Sequence, residues 1–324
     1  VSTGLPGLPG LPDLGIGVDI GGTSTKAAVI DEHGRVIASV VLPTRGGDEG
    51  VVSTALQATL DVARAAEVSI SDVNAIGVGI PGTVDQLLGN VRFAVNVGIG
   101  RDEIDLGPRL TDELGVTVHV ENDVRAAALG ADWYLSNEHG PVNDLAYLSI
   151  GTGIAAGYVE CGRLRRGNTL VAGEIGHIPI DPNGPPCACG QVGCIEAISS
   201  GSAIERMWPT EKGAAAVELH RAASAGDPDA RRLWAGVIGG LSRAVLLLAL
   251  TWDPEVVVLS GGVAALGDVL RDAIAERLTS DAQHSEFLGS LDLGARMRVI
   301  DPSIPLGPIG AVRAAHAARP VLLP

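Results

Sequence analysis

Apolar and polar positions alternate along "GIGVDIGGTSTKAAVIDEHGRVIASVVLP" in three short runs, separated by a glycine turn and by a polar turn at Asp31 to Gly34. Period-two alternation between turn signals predicts three consecutive strands. "LAYLSIGTGIAAGYVECGRLRRG" follows the same plan, with Glu160 to Gly162 as its second turn. Placing Ile20 on Ile150 also places Val29 on Val159, a shift of 130 residues, and a two-residue deletion then aligns Gly34-Arg35-Val36 with Gly162-Arg163-Leu164. The pattern is that of a duplication in which each half opens with a β-meander.

Alternating helix and strand signals follow each meander. Val52 to Ala66 predicts a helix, "VNAIGVGIPG" a buried strand, "GVTVHVEND" another, and "VRAAALGADWYL" a helix. In the second half Asp229 to Trp252 is long and rich in Ala and Leu, "PEVVVLSGGV" is a β-branched strand, and Asp268 to Leu278 is again helical. The expected class is α/β, with a mostly parallel, doubly wound sheet in each half. Ligands of such sheets lie beyond the carboxyl ends of the strands. Those ends are Gly21-Gly22-Thr23, Pro81-Gly82, Asn122-Asp123, Gly151-Thr152-Gly153 and Gly261-Gly262.

Composition refines this picture in a few places. A chain of 324 residues suits two cores, and with only 3% aromatic residues those cores must be built from Val, Ile, Leu and Ala. The net charge of −15 disfavours a broad basic surface for nucleic acid but leaves room for a local anion pocket. The longest apolar run, Ala244 to Trp252, is well short of the roughly 20 residues that span a bilayer and reads as a buried helix. "VSTGLPGLPGLPDLG" has neither the basic region nor the apolar core of a signal peptide and reads as a flexible leader, so a soluble, cytoplasmic protein is expected. Four cysteines in so long a chain are no disulfide framework. Cys161, in a predicted hairpin turn, is expected to be structural.

"DIGGTSTK", Asp19 to Lys26, places Gly21 and Gly22 after a strand, where backbone N–H groups can approach an anion, and adds the Thr23 hydroxyl and the Lys26 ammonium. A plain hairpin turn would use the same glycines. "SIGTGIAAG", with Gly151, Thr152 and Gly153, gains weight from its equivalence to the first motif, since two glycine hairpins could hold phosphates between them. Gly261-Gly262 would allow a flat group such as a base to approach, or would simply open a helix. Asn122 and Asp123 stand at a strand-to-helix junction, where they suit helix capping and equally a carboxylate that accepts a hydroxyl proton during group transfer. A helix N-terminus keeps an Asp weakly basic. Phosphoryl transfer tolerates this because it depends chiefly on alignment and charge neutralisation.

"GEIGHIPIDPNGPPCACGQVGCIEAISSG" holds His177, Cys187, Cys189 and Cys194, separated by 10, 2 and 5 residues. A Cys3His set is a usual closed zinc shell, which would make the metal structural and the source of order in a loop with little apolar content; the alternative is an oxidised or merely buried thiol cluster. Glu174 and Glu196 flank the ligands and would be fixed by them, ready to accept hydrogen bonds from hydroxyls; the alternative is that they are solvated charges.

Taken together, these residues resemble the ROK family of bacterial sugar kinases and related repressors. "GEIGH" and "CACGQVGCIE" match its ExGH and CxCGxxGCxE pattern in content and spacing, and the likeness runs from about Gly15 to the last helix, "GPIGAVRAAHAA". The resemblance implies a two-domain actin-like, hexokinase-type ATPase fold with duplicated ribonuclease H-like sheets. After a leader at 1–14 it implies a small domain at 15–125, joined by the C-terminal helix at 307–319, and a large domain at 126–306 carrying the zinc loop and an oligomerisation surface. It implies that Asp19, Gly21, Gly22, Thr23 and Lys26 form one phosphate motif of an ATP site. Gly151, Thr152 and Gly153 would form a second, and Gly261-Gly262 an adenosine motif. Asp123 would be the catalytic base, and Asn96, Asn122, Asp123, Glu174, His177 and Glu196 would surround a hexose, with His177 also a zinc ligand. Many relatives have an Asn-Leu-Pro-Gly-Trp-like stretch where this chain reads "NVGIGRDEIDL", Asn96 to Leu106, so the outer wall of the sugar site departs from the family's pattern.

The expected function is that of an ATP-dependent hexose kinase, a glucokinase first, using Mg-ATP and structural zinc and working as a homodimer or homotetramer without nucleic acid or membrane. N-acetylglucosamine or N-acetylmannosamine kinase activity is the alternative within that class. Outside it stands a sugar-sensing regulator separated from its DNA-binding domain.

Overall fold

The computed structural model describes residues 11, 13–210 and 215–318. Most of the expected leader lies outside them. The chain forms two compact units, 1–143 with 157–172 and 305–324, and 144–156 with 173–304.

The first unit begins with the predicted meander, β1 (Leu14–Ile20), β2 (Ser24–Asp31) and β3 (Val36–Pro43). It continues through α1 (Asp48–Ala65), β4 (Ala75–Ile80), the short hairpin β5 (Thr83–Asp85) and β6 (Asn90–Arg92), α2 (Leu106–Leu114), β7 (Val118–Asn122) and α3 (Asp123–His139). The sheet order is β3-β2-β1-β4-β7. The meander pairs antiparallel, whereas β1-β4 and β4-β7 pair parallel. The sheet is therefore mixed, not mostly parallel, because glycine and polar turns of three and four residues are too short for the crossover that parallel neighbours need. Central β4 is buried throughout, and edge strand β3 alternates between exposed and half-buried positions. Ile16, Val18, Val29, Val51, Val62, Ile76, Val78 and Val120 fill this core. It contains no aromatic side chain among its described members, as the composition requires.

In the second unit and at its margin lie β8 (Asp144–Ile150), β9 (Ile154–Glu160) and β10 (Arg163–Leu164), followed by α4 (Ile195–Ser199), α5 (Gly201–Met207), α6 (Ala215–Ser224) and α7 (Pro228–Trp252). Then come β11 (Val256–Ser260), α8 (Asp268–Asp281), α9 (Glu286–Ser290), α10 (Leu293–Arg296) and β12 (Met297–Val299). The order β10-β9-β8-β11-β12 repeats that of the first sheet, and the division between units falls within β9. Helix α7 is 25 residues long and contains an 18-residue stretch with a mean hydropathy of 1.9, enough by length and composition to cross a membrane. Here Asp227 caps its N-terminus, Val237, Leu241, Val245 and Leu248 are buried, and it packs against α4, α6 and α8.

The last helix, α11 (Leu306–Ala318), belongs to the first unit and packs along α3 and on β1 and β4. Buried Arg313 of α11 pairs with buried Asp132 of α3 and also donates to the carbonyl of Leu129. Leaving either charge alone in this interface would cost several kcal/mol. This packing keeps the whole of α3 in the first unit, which runs to residue 143.

Candidate active site

Each unit gathers part of the expected machinery at one end of its sheet. In the first unit Asp19 pairs in register with Gly79, and Gly79 with Glu121, so Asp19 and the Asn122-Asp123 junction are two strands apart at the carboxyl ends of β1 and β7. Burial raises the pKa of Asp19, and the charge of Lys26, its antiparallel partner, offsets only part of that rise. The turn at Gly21, Gly22 and Thr23 is closed by the Gly21 N–H donating to Ser24 O at 2.9 Å, leaving Gly22 and Thr23 exposed. Thr44, which no sequence motif marked, secures this turn. Its hydroxyl donates to Gly21 O at 2.7 Å and its N–H to Thr23 O at 3.1 Å. Asn96, in a short 3-10 turn at Val95–Val97, lies against Gly22: a Cβ there would stand 3.1 Å from the Asn96 carbonyl oxygen.

Asn122, 8% exposed, caps α3. Its Oδ1 accepts from the Arg125 N–H at 3.1 Å, and its Nδ2 donates to Gly82 O at 3.1 Å. The capping role is therefore present in the structure. Asp123 occupies the first turn of α3, where Oδ1 accepts from the Val124 N–H at 2.9 Å and the carboxylate sits in the positive end of the helix dipole. Beside them stands Glu121, which no sequence motif marks, a fully buried carboxylate whose Oε2 is held by Arg166 through Nε at 2.8 Å and Nη2 at 2.7 Å. Burial lowers the pKa of His119, two residues before Glu121 on β7; the Glu121 carboxylate opposes that shift and Arg166 reinforces it.

In the second unit the turn Gly151-Thr152-Gly153 joins β8 to β9, with Gly151 N–H donating to Gly153 O at 3.0 Å. Two of its carbonyls are taken by the first turn of α5: Gly201 N–H donates to Gly151 O and Ser202 Oγ to Thr152 O, both at 2.7 Å. Glu196, on α4, accepts from the Ile154 N–H at 2.9 Å. Gly153 gives Glu196 room to approach, since a Cβ there would lie 2.5 Å from Glu196 Oε2 and displace the carboxylate. Glu196 is thus no freely solvated charge. Gly261, at the end of β11 with φ 92°, backs directly on the Ile150 peptide, where a Cβ would meet backbone at 2.6 Å; Gly262 beyond it is open. Gly261-Gly262 and the Gly151 turn are therefore adjacent.

Glu174 precedes a 3-10 turn, Ile175–His177, and its Oε2 lies 3.9 Å from His177 Nε2. The other ring nitrogen faces the cysteines. His177 Nδ1 is 3.7 Å from Cys187 Sγ, and Cys189 Sγ is 3.7 Å from Cys194 Sγ. All four ligand atoms lie within 4.8 Å of one another. Tetrahedral zinc bonds of about 2.3 Å to sulfur and 2.1 Å to nitrogen require edges of roughly 3.6–3.8 Å, so donor set and spacing both fit. The described cysteines form no disulfide. Hydrogen bonding from Gln191 lowers the Cys189 thiol to about 6, while burial, aided by the neighbouring sulfurs, pushes Cys194 up to about 12. Three thiolates repel one another until a dication offsets their charge. Gln191 also donates to the His177 carbonyl at 2.9 Å, tying the loop across its base. Cys161, half-buried in the β9-β10 turn at φ 48°, is remote in sequence and stands outside the cluster.

The sequence profile described as "ROK family" matches residues 15–292. The chain belongs to the ROK family. A glucokinase of Thermotoga maritima is 31% identical over 310 residues, covering 89% of this chain and 94% of that protein. Among solved ROK structures, the hexokinase of Thermus thermophilus aligns with a TM-score of 0.75 at 33% identity, over 94% of this chain and 98% of the other. The glucokinase of Streptomyces griseus, crystallised with glucose and AMPPNP, aligns with a TM-score of 0.73 at 30% identity, over 93% and 98%. The duplicated sheet order described above is thus the actin-like ATPase fold of this ROK protein.

Proposed function

We propose that this ROK protein is an ATP-dependent hexose kinase that phosphorylates the 6-hydroxyl of glucose. The observation that carries the reading is the placement of Asp123 beside Asn122 at the same end of one sheet as Asp19 and the exposed Gly22-Thr23 turn. A proton acceptor and a phosphate turn are what phosphoryl transfer to an alcohol needs on one rigid support.

In this reading Asn96, Asn122, Glu174, His177 and Glu196 hold the hexose. Gly21 to Thr23, Lys26 and the Gly151 turn receive the phosphates of Mg-ATP, and Gly261-Gly262 face the adenosine. Asp123 orients the 6-hydroxyl and takes its proton as O6 bonds to the γ-phosphorus, while the bond from that phosphorus to the bridging β-oxygen breaks and ADP leaves. Asp19 belongs to the same phosphate motif, and magnesium bound with ATP would supply the charge neutralisation that phosphoryl transfer needs. His177, Cys187, Cys189 and Cys194 hold a structural zinc; the four protein ligands leave no position open for catalysis. The protein acts in the cytoplasm as a homo-oligomer, which light scattering of the purified protein would measure.

An ADP-release assay across glucose, mannose, fructose, N-acetylglucosamine and N-acetylmannosamine tests the proposal. Turnover greatest with glucose is expected. Preference for an N-acetylated sugar would move the assignment within the kinase class, and sugar binding without any turnover would indicate a sensor.

A further inference from the structure

Glu121 presents a physical puzzle. It is the penultimate residue of β7, with 0% exposure, in a position where an apolar side chain would fill the same space without desolvating a charge. Instead the carboxylate draws two arginines to it. Arg166 brings two guanidinium nitrogens, Nε at 2.8 Å and Nη2 at 2.7 Å, to the one oxygen Oε2, a pair of charge-assisted contacts that converge on a single acceptor. Arg125 Nη1 lies 3.7 Å from the other oxygen, Oε1.

That same Oε1 accepts the N–H of Asn122 at 3.0 Å, so the carboxylate folds back onto the peptide that leads into Asn122 and Asp123. The contacts close a ring. Glu121 engages the Arg125 guanidinium, Asn122 Oδ1 engages the Arg125 backbone N–H, and Arg125 Nη2 donates to the carbonyl of Leu170. Arg166 and Leu170 belong to one loop, which runs on in sequence to Gly173 and Glu174. A buried anion thus joins this loop to the first turn of α3.

We propose that Glu121, gripped by Arg166, is a positioning residue for phosphoryl transfer, setting the backbone from which Asn122 and Asp123 project. The proposal rests on the kinase reading and adds to it a pair that touches neither sugar nor nucleotide. Alignment of the attacking oxygen is sensitive to displacements of an ångström or less. An ion-paired anchor holds that alignment more stiffly than apolar packing, which is non-directional.

The test compares Arg166→Ala, Arg166→Lys and Glu121→Gln in the full-length protein, measuring kcat, KM for glucose, KM for Mg-ATP and thermal unfolding. Arg166 is the better probe because its side chain is 27% exposed, so its removal leaves a solvated gap and not a core cavity. We expect Arg166→Ala to lower kcat/KM for glucose by about ten- to a hundredfold while KM for Mg-ATP moves by less than about twofold, the signature of misplacement at the acceptor side. Arg166→Lys should recover only part of the loss, and millimolar guanidinium should restore turnover to Arg166→Ala. A fall in kcat that follows the folded fraction, with both KM values unchanged, would reduce the pair to a structural role and overturn the proposal. So would unchanged kinetics in a folded Arg166→Ala. If Glu121→Gln does not fold, Arg166→Ala decides alone. Wild-type protein that phosphorylates no sugar would overturn the kinase reading and this proposal together, whereas normal wild-type turnover with an indifferent Arg166→Ala overturns this proposal only.

Discussion

The backbone N–H of Ile154 donates a 2.9 Å hydrogen bond to Oε2 of Glu196, a residue 42 positions later in the chain. Ile154 follows the second glycine turn, and Glu196 directly follows Cys194 and Ile195 of the metal-ligand loop. One carboxylate therefore links the candidate phosphate turn to the loop assigned to sugar and zinc.

Glu196→Gln keeps an oxygen that can accept the Ile154 N–H but loses the charge, whereas Glu196→Ala loses both. The glutamine variant is expected to raise KM for glucose and leave KM for Mg-ATP nearly unchanged. The alanine variant should also raise KM for Mg-ATP, by roughly three- to tenfold if one net hydrogen bond is lost. Steady-state kinetics with each substrate varied in turn would check this. An alanine variant with wild-type KM for Mg-ATP would show that the turn does not depend on Glu196.

Metal content offers a second prediction. Native mass spectrometry should find one zinc per chain, retained in Asp123→Asn and lost in Cys187→Ser. Because the thiols must lose protons to bind, affinity rises with pH, and Cys194, pushed up to about 12 without a cation, gives up a proton when zinc enters at neutral pH. Proton release on titrating zinc into the chelated protein, followed with a pH indicator, would report this. Chelation should lower sugar affinity and unfolding temperature together, while metal-free protein that bound glucose normally would separate loop from pocket.

Much of this was legible in the sequence, for identifiable reasons. The β1-β2-β3 meander showed itself because alternation and glycine turns are local signals, and the observed β1, Leu14–Ile20, follows the expected run closely. The four candidate metal ligands were marked by their spacing, and the fold brings their ligand atoms within 4.8 Å of one another. Glu121, Arg166, Thr44 and Ser202 left no such trace: each works through a partner brought near only by tertiary folding, as with Arg166 and Glu121, 45 residues apart. The β5-β6 hairpin has strands of 3 residues, too short for periodicity to register. Asn122 and Asp123 were ambiguous because a helix cap and a catalytic junction require the same residue types, and Asn122 does cap α3.

Acid stability follows from a turn far from the chemistry. Burial opposes ionisation of Asp31, but the backbone and side chain of Arg35 and the backbone N–H of His33 outweigh it and lower the pKa. A lowered folded pKa contributes stability that is fully present above the unfolded value of roughly 3.9 and is lost as pH falls through the folded value. Asp31→Asn should therefore be less stable than wild type at pH 7, with the difference shrinking below about pH 4. Urea unfolding at several pH values would measure it; a difference that stayed constant down to acid pH would remove Asp31's charge from the account.

The central claim is that Asp123 takes the proton of the sugar hydroxyl on a phosphate-binding sheet. Single-turnover formation of glucose 6-phosphate by wild type and Asp123→Asn, at saturating glucose and Mg-ATP, tests it most directly. The rate is predicted to fall by about a hundredfold or more, with glucose still bound and zinc still present. Phosphorylation of glucose by Asp123→Asn at close to the wild-type rate would contradict it.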